Sequence, residues 1–274
     1  MRQFLRIVTP GRFARTATTL AGCGLLIGLL QALPAQAADE PAPPGANLEI
    51  ALTPTELLGP EDAARLAGIL PPDETLRWQV YRPDSGSTAP PGLLVYVSPD
   101  ASGRIDSHWR RVLDERNLAF VAAHRSGNRM PVDRRMVLAL LAPRVVAGRF
   151  AFDRDRVWIA GYSGGGRVAS RLAPRYPNAF RGALYICGVD PLPDADAFDP
   201  ALLRDGRFVF LSGARDFNRE ETRRVYREYR NAGIVHSRLM VIPGMGHELP
   251  AAPDLTEALR FLDGEGADAS PGGH

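Results

Sequence analysis

Residues 152–166 read FDRDRVWIAGYSGGG and combine an apolar run with a glycine-rich segment. Val157-Trp158-Ile159-Ala160 is a short apolar run typical of a buried strand, and the residues that follow Gly164 carry apolar positions at helical spacing. Between the two lies Gly161-Tyr162-Ser163-Gly164-Gly165, which has the form G-x-S-x-G. In this context the serine occupies a strained strand-to-helix turn, and the flanking glycines let strand and helix approach closely. The stretch therefore predicts an exposed, nucleophilic Ser163.

The start of the predicted helix directs backbone N–H groups at the space beside Ser163. Gly164 is therefore predicted to donate its N–H to an oxyanion formed there. Two other interpretations stay open at this point. In the first, the G-x-S-x-G pattern is a chance match in a chain with 27 Gly. In the second, the Gly-rich turn between strand and helix binds a phosphate group.

A serine hydroxyl needs a base, oriented by an acid, to become a good nucleophile. In this topology the acid and then the histidine follow the serine, each just beyond a later strand. Asp216 follows the apolar run Phe208–Leu211 and lies 53 residues after Ser163. His247 follows the run Leu239–Ile242 and lies 31 residues after Asp216. The order and the spacing predict a catalytic triad of Ser163, Asp216 and His247.

Other residues compete for these roles. Asp190 follows the run Ala183–Cys187 and is the rival acid, because some triads take the acid from that loop. The other histidines are placed less well, on a helix, before the serine, at the opposite end of the sheet or in the tail: His108, His124, His236 and His274. A solvated or core-packed side chain is the alternative interpretation of His247 itself.

The rest of the chain alternates apolar runs with segments of helical periodicity. The runs are Leu48–Leu52, Trp78–Tyr81, Leu93–Val97, Ala119–Ala122, Val157–Ala160, Ala183–Cys187, Phe208–Leu211 and Leu239–Ile242. The helical segments are 106–116, 132–147, 164–173, 218–231 and 254–262. Alternation of this kind predicts an α/β domain over 47–263, with a mostly parallel central sheet flanked by helices.

Both ends of the chain differ in composition from this domain. Residues 1–37 combine four Arg, an uncharged apolar centre and the cleavage pattern Ala35-Gln36-Ala37, which predicts a signal peptide and a mature protein starting at Ala38. Residues 38–46 are predicted to be a Pro-rich linker, and 264–274 a disordered tail. The sequence thus predicts a secreted or periplasmic protein without stable membrane insertion after cleavage.

Two alternatives apply to the leader. In the first alternative the leader is an uncleaved membrane anchor, although its apolar centre is shorter than the ~20 residues of a membrane-spanning helix. In the other, Leu20-Ala21-Gly22-Cys23 is a lipidation signal, although most of the apolar run follows Cys23 instead of preceding it. Loss of the leader leaves Cys187 without a disulfide partner, and its apolar surroundings predict a buried strand residue that is not a nucleophile.

Composition excludes several classes of protein. The 33 basic and 31 acidic residues give a net charge of +2, which is too balanced to indicate a nucleic-acid binder. Removal of residues 1–37 takes away four Arg and no acid, which leaves 29 basic and 31 acidic residues and a charge of −2. All basic residues are Arg, so Schiff-base and Walker-type phosphate chemistry, which need Lys, are excluded. No His, Cys, Asp or Glu cluster has metal-ligand spacing, and no cofactor is predicted.

From about Gly92 to Leu249 the chain resembles the α/β-hydrolase superfamily, in particular secreted bacterial esterases of the polyhydroxyalkanoate-depolymerase and feruloyl-esterase type. The resemblance rests on residues 152–166 and on Gly244-Met245-Gly246-His247-Glu248-Leu249-Pro250. It implies a cofactor-free acyl-serine mechanism, in which Ser163 attacks, His247 shuttles the proton and Asp216 holds the imidazole.

The chain departs from this family at the oxyanion segment. Such esterases carry His-Gly after the strand that corresponds to Leu93–Val97, whereas this chain has Ser98-Pro99-Asp100-Ala101. Pro99 has no N–H to donate, so the second oxyanion donor is predicted to be the backbone N–H of Asp100, with Ala101 as the alternative. An ordinary turn aspartate is an equally good interpretation of Asp100.

The remaining features concern the substrate. Asn128 and Tyr162 are predicted to contact it, and the short segment 189–206 leaves room for little or no lid. We therefore expect hydrolysis of carboxylic esters, with a small-molecule or oligomeric ester as the substrate. A serine peptidase or amidase with the same triad is the first alternative, and a noncatalytic binding protein on a hydrolase scaffold is the second.

Overall fold

Among the described residues, eight strands form one sheet in the order β1-β2-β4-β3-β5-β6-β7-β8. All neighbours are parallel except β2, which is antiparallel to both β1 and β4. The strands are β1 Asn47–Leu52, β2 Leu76–Tyr81, β3 Gly92–Val97, β4 Leu118–Ala123, β5 Val157–Tyr162, β6 Gly182–Ile186, β7 Arg207–Gly213 and β8 Ser237–Ile242. Every strand predicted from the apolar runs is confirmed, as is the mostly parallel sheet.

In the part of the chain that the structure describes, seven α-helices connect and flank the strands. They are α1 Pro54–Leu58, α2 Pro60–Arg65, α3 Ser107–Glu115, α4 Val132–Ala147, α5 Gly164–Leu172, α6 Arg219–Asn231 and α7 Ala252–Leu262. The five long helices agree with the predicted segments within two residues at each end. The two short ones, α1 and α2, were not predicted, because a helix of five or six residues shows too little periodicity.

The structure, a computed structural model, describes residues 42–193 and 199–265. The predicted signal peptide lies outside these residues. So do residues 38–41 of the predicted linker and 266–274 of the predicted tail. Among the described residues, none of the helices has the length and apolar character needed to cross a bilayer.

The sheet is covered by helices on both faces, which explains why β3 and β4 are buried at every position. On one face Trp109 of α3 and Phe261 of α7 join the apolar core with alternate residues of the central strands. On the other face the ring of Tyr229 in α6 packs edge-on against Tyr185 and Phe210, 6.1 and 4.9 Å between centroids. This core fixes the strands whose carboxyl ends carry the site.

The predicted linker and tail are tied to the domain where they are described. The Gly45 N–H donates to the Arg82 carbonyl (3.0 Å), and the Arg82 guanidinium donates to the Ala42 carbonyl. At the other end, Glu265 accepts from Arg116 (2.6 Å). The ordered domain therefore extends a few residues beyond the predicted limits 47–263.

The segment between β6 and β7 was predicted to be too short for a lid. Its described part contains one helical element, the 3₁₀ turn Pro200–Leu203. Residues 194–198 of this segment lie outside the described residues.

Candidate active site

Ser163 lies in a tight turn between β5 and α5. Its backbone angles, φ 54° and ψ −120°, are in a region that side chains rarely occupy, so the turn is strained. A Cβ on Gly161 would lie 2.3 Å from the carbonyl of Gly165, and a Cβ on Gly165 would lie 1.9 Å from the Val97 carbonyl oxygen. Both flanking glycines are thus required by direct backbone contact, as the sequence predicted.

His247 lies in the loop after β8, and its Nε2 is 2.9 Å from Ser163 Oγ. The loop is held by two further bonds. The Tyr162 hydroxyl donates to the His247 carbonyl (2.7 Å), and the Gly246 N–H donates to the Glu248 carboxylate (2.8 Å). The loop therefore presents the imidazole to the serine in a fixed position.

Asp216 lies in the loop after β7, and its Oδ1 is 2.8 Å from His247 Nδ1. The same oxygen accepts the N–H of Asn218 (3.0 Å). The Asp216 side chain is fully buried, whereas that of His247 is 21% exposed. Because a carboxylate only accepts, Nδ1 carries the ring proton, and Nε2 is left to accept the Ser163 hydroxyl proton.

The structure thus brings together all three residues of the predicted triad. The rival acid is engaged elsewhere, since Asp190 accepts from Arg167 at 2.9 Å and forms a second ion pair with Arg171. His108 and His124 have other partners: the carbonyl of Pro250 lies 3.3 Å from His108, and the N–H of Gly103 donates to His124 (3.2 Å). His274 lies outside the described residues.

Cys187 lies beside the acid, which the sequence did not reveal. It is fully buried, as predicted, but it comes one residue after β6 and has a strained backbone, with φ 53°. Burial first, and then the charge of Asp216, raise the pKa of the Cys187 thiol to about 12. The thiol is therefore neutral at ordinary pH and is a poor nucleophile.

Cys187, Asp216 and His247 form the one group in 42–193 and 199–265 whose side-chain atoms lie close enough to share a metal ion, within 4.8 Å of one another. Two of the three are already hydrogen-bonded to each other, and the third retains its proton. A metal would have to displace both the hydrogen bond and the proton, so this donor set suits proton transfer better than metal binding.

The oxyanion side of the site contains Gly164 and the loop after β3. As the first residue of α5, Gly164 has no intrahelical acceptor for its N–H, which points out of the helix start. The N–H of Asp100, predicted as the second donor, donates to Ser98 Oγ (3.0 Å). Pro99 between them has no N–H.

A second loop, 124–128, is joined to this segment. The N–H of Arg125 donates to the Ala101 carbonyl (2.7 Å), and that of Asn128 to the Pro99 carbonyl (2.8 Å). The buried Arg135 guanidinium donates to the carbonyls of Ser126 (2.6 Å) and Ser98 (3.2 Å). Burial, and then the charge of Arg171, lower the pKa of Arg135. These bonds fix Asn128 in the site.

The two predicted substrate contacts occupy different positions. The Asn128 side chain is exposed and lies over Gly164, so close that a Cβ on Gly164 would be 2.1 Å from Asn128 Oδ1. The Tyr162 hydroxyl instead holds the His247 loop. Burial, the largest cause, raises the pKa of Tyr162 to about 12.

Phe217 is a further residue of the site that the sequence analysis missed. Its ring stacks on the His247 imidazole, with 4.2 Å between centroids and 25° between planes, yet the residue is 77% exposed. An exposed aromatic ring against the His247 imidazole forms an apolar surface next to Ser163 and His247. The available signal was its place directly after the predicted acid.

Comparison with known proteins identifies the fold. No protein-family model matches the chain. No curated protein matches its sequence at a significant level. Among solved structures, the chain is similar to S-formylglutathione hydrolase from Staphylococcus aureus, with 14% identity and a TM-score of 0.56 over 79% of this chain and 98% of that one.

Two further solved structures are similar to it. One is a ferulic acid esterase, with 17% identity and a TM-score of 0.55 over 79% of this chain and 97% of that one. The other is an α/β-hydrolase from the metagenome of Lake Arreo, with 18% identity and a TM-score of 0.55 over 83% of this chain and 82% of that one. At such identities the likeness is one of fold. The chain has the α/β-hydrolase fold.

Proposed function

We propose that the protein is a serine hydrolase that cleaves carboxylic esters through an acyl-serine intermediate. The observation that carries the proposal is the unbroken hydrogen-bond chain from Ser163 Oγ through the His247 imidazole to Asp216, at 2.9 and 2.8 Å. Each of the three residues follows a different strand. The hydrogen-bond chain therefore joins three separate loops, and does not result from two polar residues that are neighbours in one loop. The strained turn at Ser163 and the esterase neighbours support the same function.

Acylation begins when Ser163 Oγ attacks the ester carbonyl carbon and passes its proton to His247 Nε2. The carbonyl electron pair moves onto oxygen, and the Gly164 N–H donates to the oxyanion. Asp216 stabilises the imidazolium through Nδ1 and keeps the ring oriented. When the carbonyl re-forms, the bond to the alcohol oxygen breaks, and Nε2–H protonates the departing alkoxide.

Deacylation repeats these steps with water. His247 Nε2 takes a proton from a water molecule while the water oxygen attacks the acyl-serine carbonyl carbon. The tetrahedral intermediate then collapses, the bond to Ser163 Oγ breaks, and Nε2–H returns the proton to that oxygen. The carboxylic acid leaves and the free serine is restored, so no cofactor or metal takes part.

The surroundings of the triad favour short or aryl-bearing esters. The exposed Phe217 ring offers an apolar face next to His247, and the described part of the segment before β7 contributes only a short 3₁₀ turn. A site of this kind leaves most of a long acyl chain in water, whereas an aromatic group stacks on Phe217.

A fluorophosphonate probe combined with an ester panel tests this function. The wild-type protein should be labelled on Ser163 and should hydrolyse phenyl and 4-nitrophenyl acetate. Ser163→Ala should abolish both activities, while Ser107→Ala, at an exposed serine on α3, should leave both unchanged. Folded protein that neither reacts with the probe nor cleaves any ester would contradict the proposal and favour a noncatalytic binding role.

The peptidase or amidase alternative uses the same triad, so geometry does not separate it from an esterase. The two activities are separated by comparing the rates of hydrolysis of 4-nitrophenyl acetate and of the matched amide, 4-nitroacetanilide. We expect the ester to be cleaved much faster, and a preference for the anilide would replace the esterase proposal with an amidase.

We also propose that the protein is exported and acts outside the cytoplasm. The support is the basic and apolar leader that ends in Ala35-Gln36-Ala37. Intact-mass measurement of protein from the periplasm or medium should give a chain that starts at Ala38. A retained leader or a lipidated Cys23 would contradict the proposal.

A further inference from the structure

Ester hydrolysis needs donors for the charge that develops on the carbonyl oxygen. One donor is the Gly164 N–H, which has no intrahelical acceptor. The segment that faces it offers little from its backbone. Pro99 has no N–H, and the Asp100 N–H already donates to Ser98 Oγ at 3.0 Å. The Ala101 N–H is the backbone alternative in this segment, and a side chain on a neighbouring element is the other source of a second donor.

Asn128 supplies a side chain at the required place. Its carboxamide lies directly over Gly164, since a Cβ there would be 2.1 Å from Oδ1 and 3.0 Å from Nδ2. Among the described residues the carboxamide forms no hydrogen bond, so both of its N–H groups are free to donate. A terminal amide torsion is soft, so the group turns to meet a new acceptor at little cost.

The backbone of Asn128 is nevertheless held firmly. Its N–H donates to the Pro99 carbonyl, and Arg135 bonds the carbonyls on both sides of the junction between the two loops. The adjoining Gly127 packs so tightly on Asp100 that a Cβ would lie 2.5 Å from the Asp100 carbonyl carbon. The fixed backbone therefore keeps the Asn128 carboxamide within reach of Gly164, while the amide group itself stays free to orient toward a new acceptor.

We propose that Asn128 is a catalytic residue whose Nδ2–H is the second oxyanion donor, alongside the Gly164 N–H. The inference rests on the proposed function. When Ser163 Oγ bonds to the carbonyl carbon, the electron pair that moves onto oxygen is met by N–H groups from Gly164 and Asn128. When that pair returns to re-form the carbonyl, both hydrogen bonds weaken and the leaving alcohol departs with the proton from His247.

Kinetics of Asn128 variants test the proposal. Asn128→Ala should lower kcat about 10²- to 10³-fold, the usual effect of losing one oxyanion donor, with a KM that changes only a few-fold. Asn128→Asp has nearly the same shape but places a carboxylate oxygen where the N–H was, so its kcat should fall at least as far. Arg129→Ala, at the adjacent exposed residue, is the matched control and should retain wild-type kcat.

Gly164 gives an independent variant, because a methyl group there displaces the carboxamide without deleting it. Gly164→Ala should lower kcat, and in that background Asn128→Ala should cost less than tenfold more. Full additivity of the two changes would contradict the shared mechanism. The Asn128 side chain is exposed, so its variants should unfold at the wild-type temperature.

The outcomes separate the two proposals. Wild-type protein that hydrolyses esters while Asn128→Ala stays within threefold of its kcat would overturn the role of Asn128 and leave the esterase function standing. A backbone N–H of the segment after β3, from Asp100 or Ala101, would then be the second donor. Wild-type protein that is inactive on every ester and is not labelled on Ser163 would overturn the function itself, and the role of Asn128 with it.

Discussion

The two halves of the site differ in how completely their polar groups are paired. In the acid–base half, formed by Ser163, His247 and Asp216, every group needed for proton transfer is hydrogen-bonded to the next. In the oxyanion half, formed by Gly164, Asn128 and the segment 98–103, the Gly164 N–H and the Asn128 carboxamide have no acceptor among the described residues, whereas the Asp100 N–H donates to Ser98 Oγ.

In the proposed mechanism, this difference follows from the step at which each half acts. Proton transfer begins from the resting enzyme, so its donors and acceptors are aligned before the substrate arrives. The acceptor of the oxyanion half exists only while the tetrahedral intermediate does, and a donor already satisfied at rest contributes less to its stabilisation. Free polar groups on a rigid backbone are therefore as informative about catalysis as paired ones.

The largest expected effect comes from breaking the acid–base half at Asp216. Asp216→Asn should lower kcat about 10⁴-fold, because an amide at this position favours the wrong tautomer of His247. The control is Asp190→Asn, since Asp190 pairs with Arg167 and Arg171 and not with the histidine. Steady-state kinetics of the two folded variants check the prediction, and the opposite ranking would move the acid to Asp190.

A smaller effect is expected at the apolar surface beside His247. Phe217→Leu should raise KM for phenyl acetate about 2- to 10-fold, as loss of an aromatic contact does, and should leave KM for ethyl acetate unchanged. Leu202→Ala, at another strongly exposed apolar side chain (63%), serves as the control. An equal change for both esters would show that the ring supports His247 instead of binding the aryl group.

The smallest effect on activity is expected from treatment of Cys187 with a thiol reagent. This thiol is buried next to Asp216, so it tests whether a buried group of the site is also an unreactive one. With a pKa of about 12, only about 10⁻⁴ of this thiol is ionised at pH 8. Iodoacetamide at that pH should leave the Cys187 peptide unmodified and the activity intact, whereas denatured protein should be alkylated. Rapid alkylation of the native protein, measured by mass spectrometry, would contradict this result.

The sequence predicted the parts of the molecule that depend on local pattern. Strands such as Leu93–Val97 carry an uninterrupted apolar run, and Ser163 is surrounded by glycines with a definite steric role. Asp216 and His247 were found because parallel strands place their carboxyl-end loops on one edge of the sheet. Here a residue's position relative to a strand is enough to predict a contact.

Other features depend on contacts between distant loops. Nothing near Cys187 in the sequence indicates that it lies beside Asp216, and the stacking of Phe217 on His247 depends on the geometry of two separate loops. Asn128 was predicted as a substrate contact, but its position over Gly164 follows from bonds between segments 98–101 and 125–128. Side-chain neighbours of this kind have no local pattern that would predict them.

The strained backbone of Ser163 has a consequence for engineering. A positive φ with ψ near −120° is free of steric strain only for glycine and costs other residues about 1–3 kcal/mol. The Ser163→Gly variant should therefore be more stable than the wild-type protein, although it lacks the nucleophile. Directed evolution that screens only for thermal resistance would thus enrich inactive chains. Each round of such a screen needs a simultaneous demand for turnover to retain the serine.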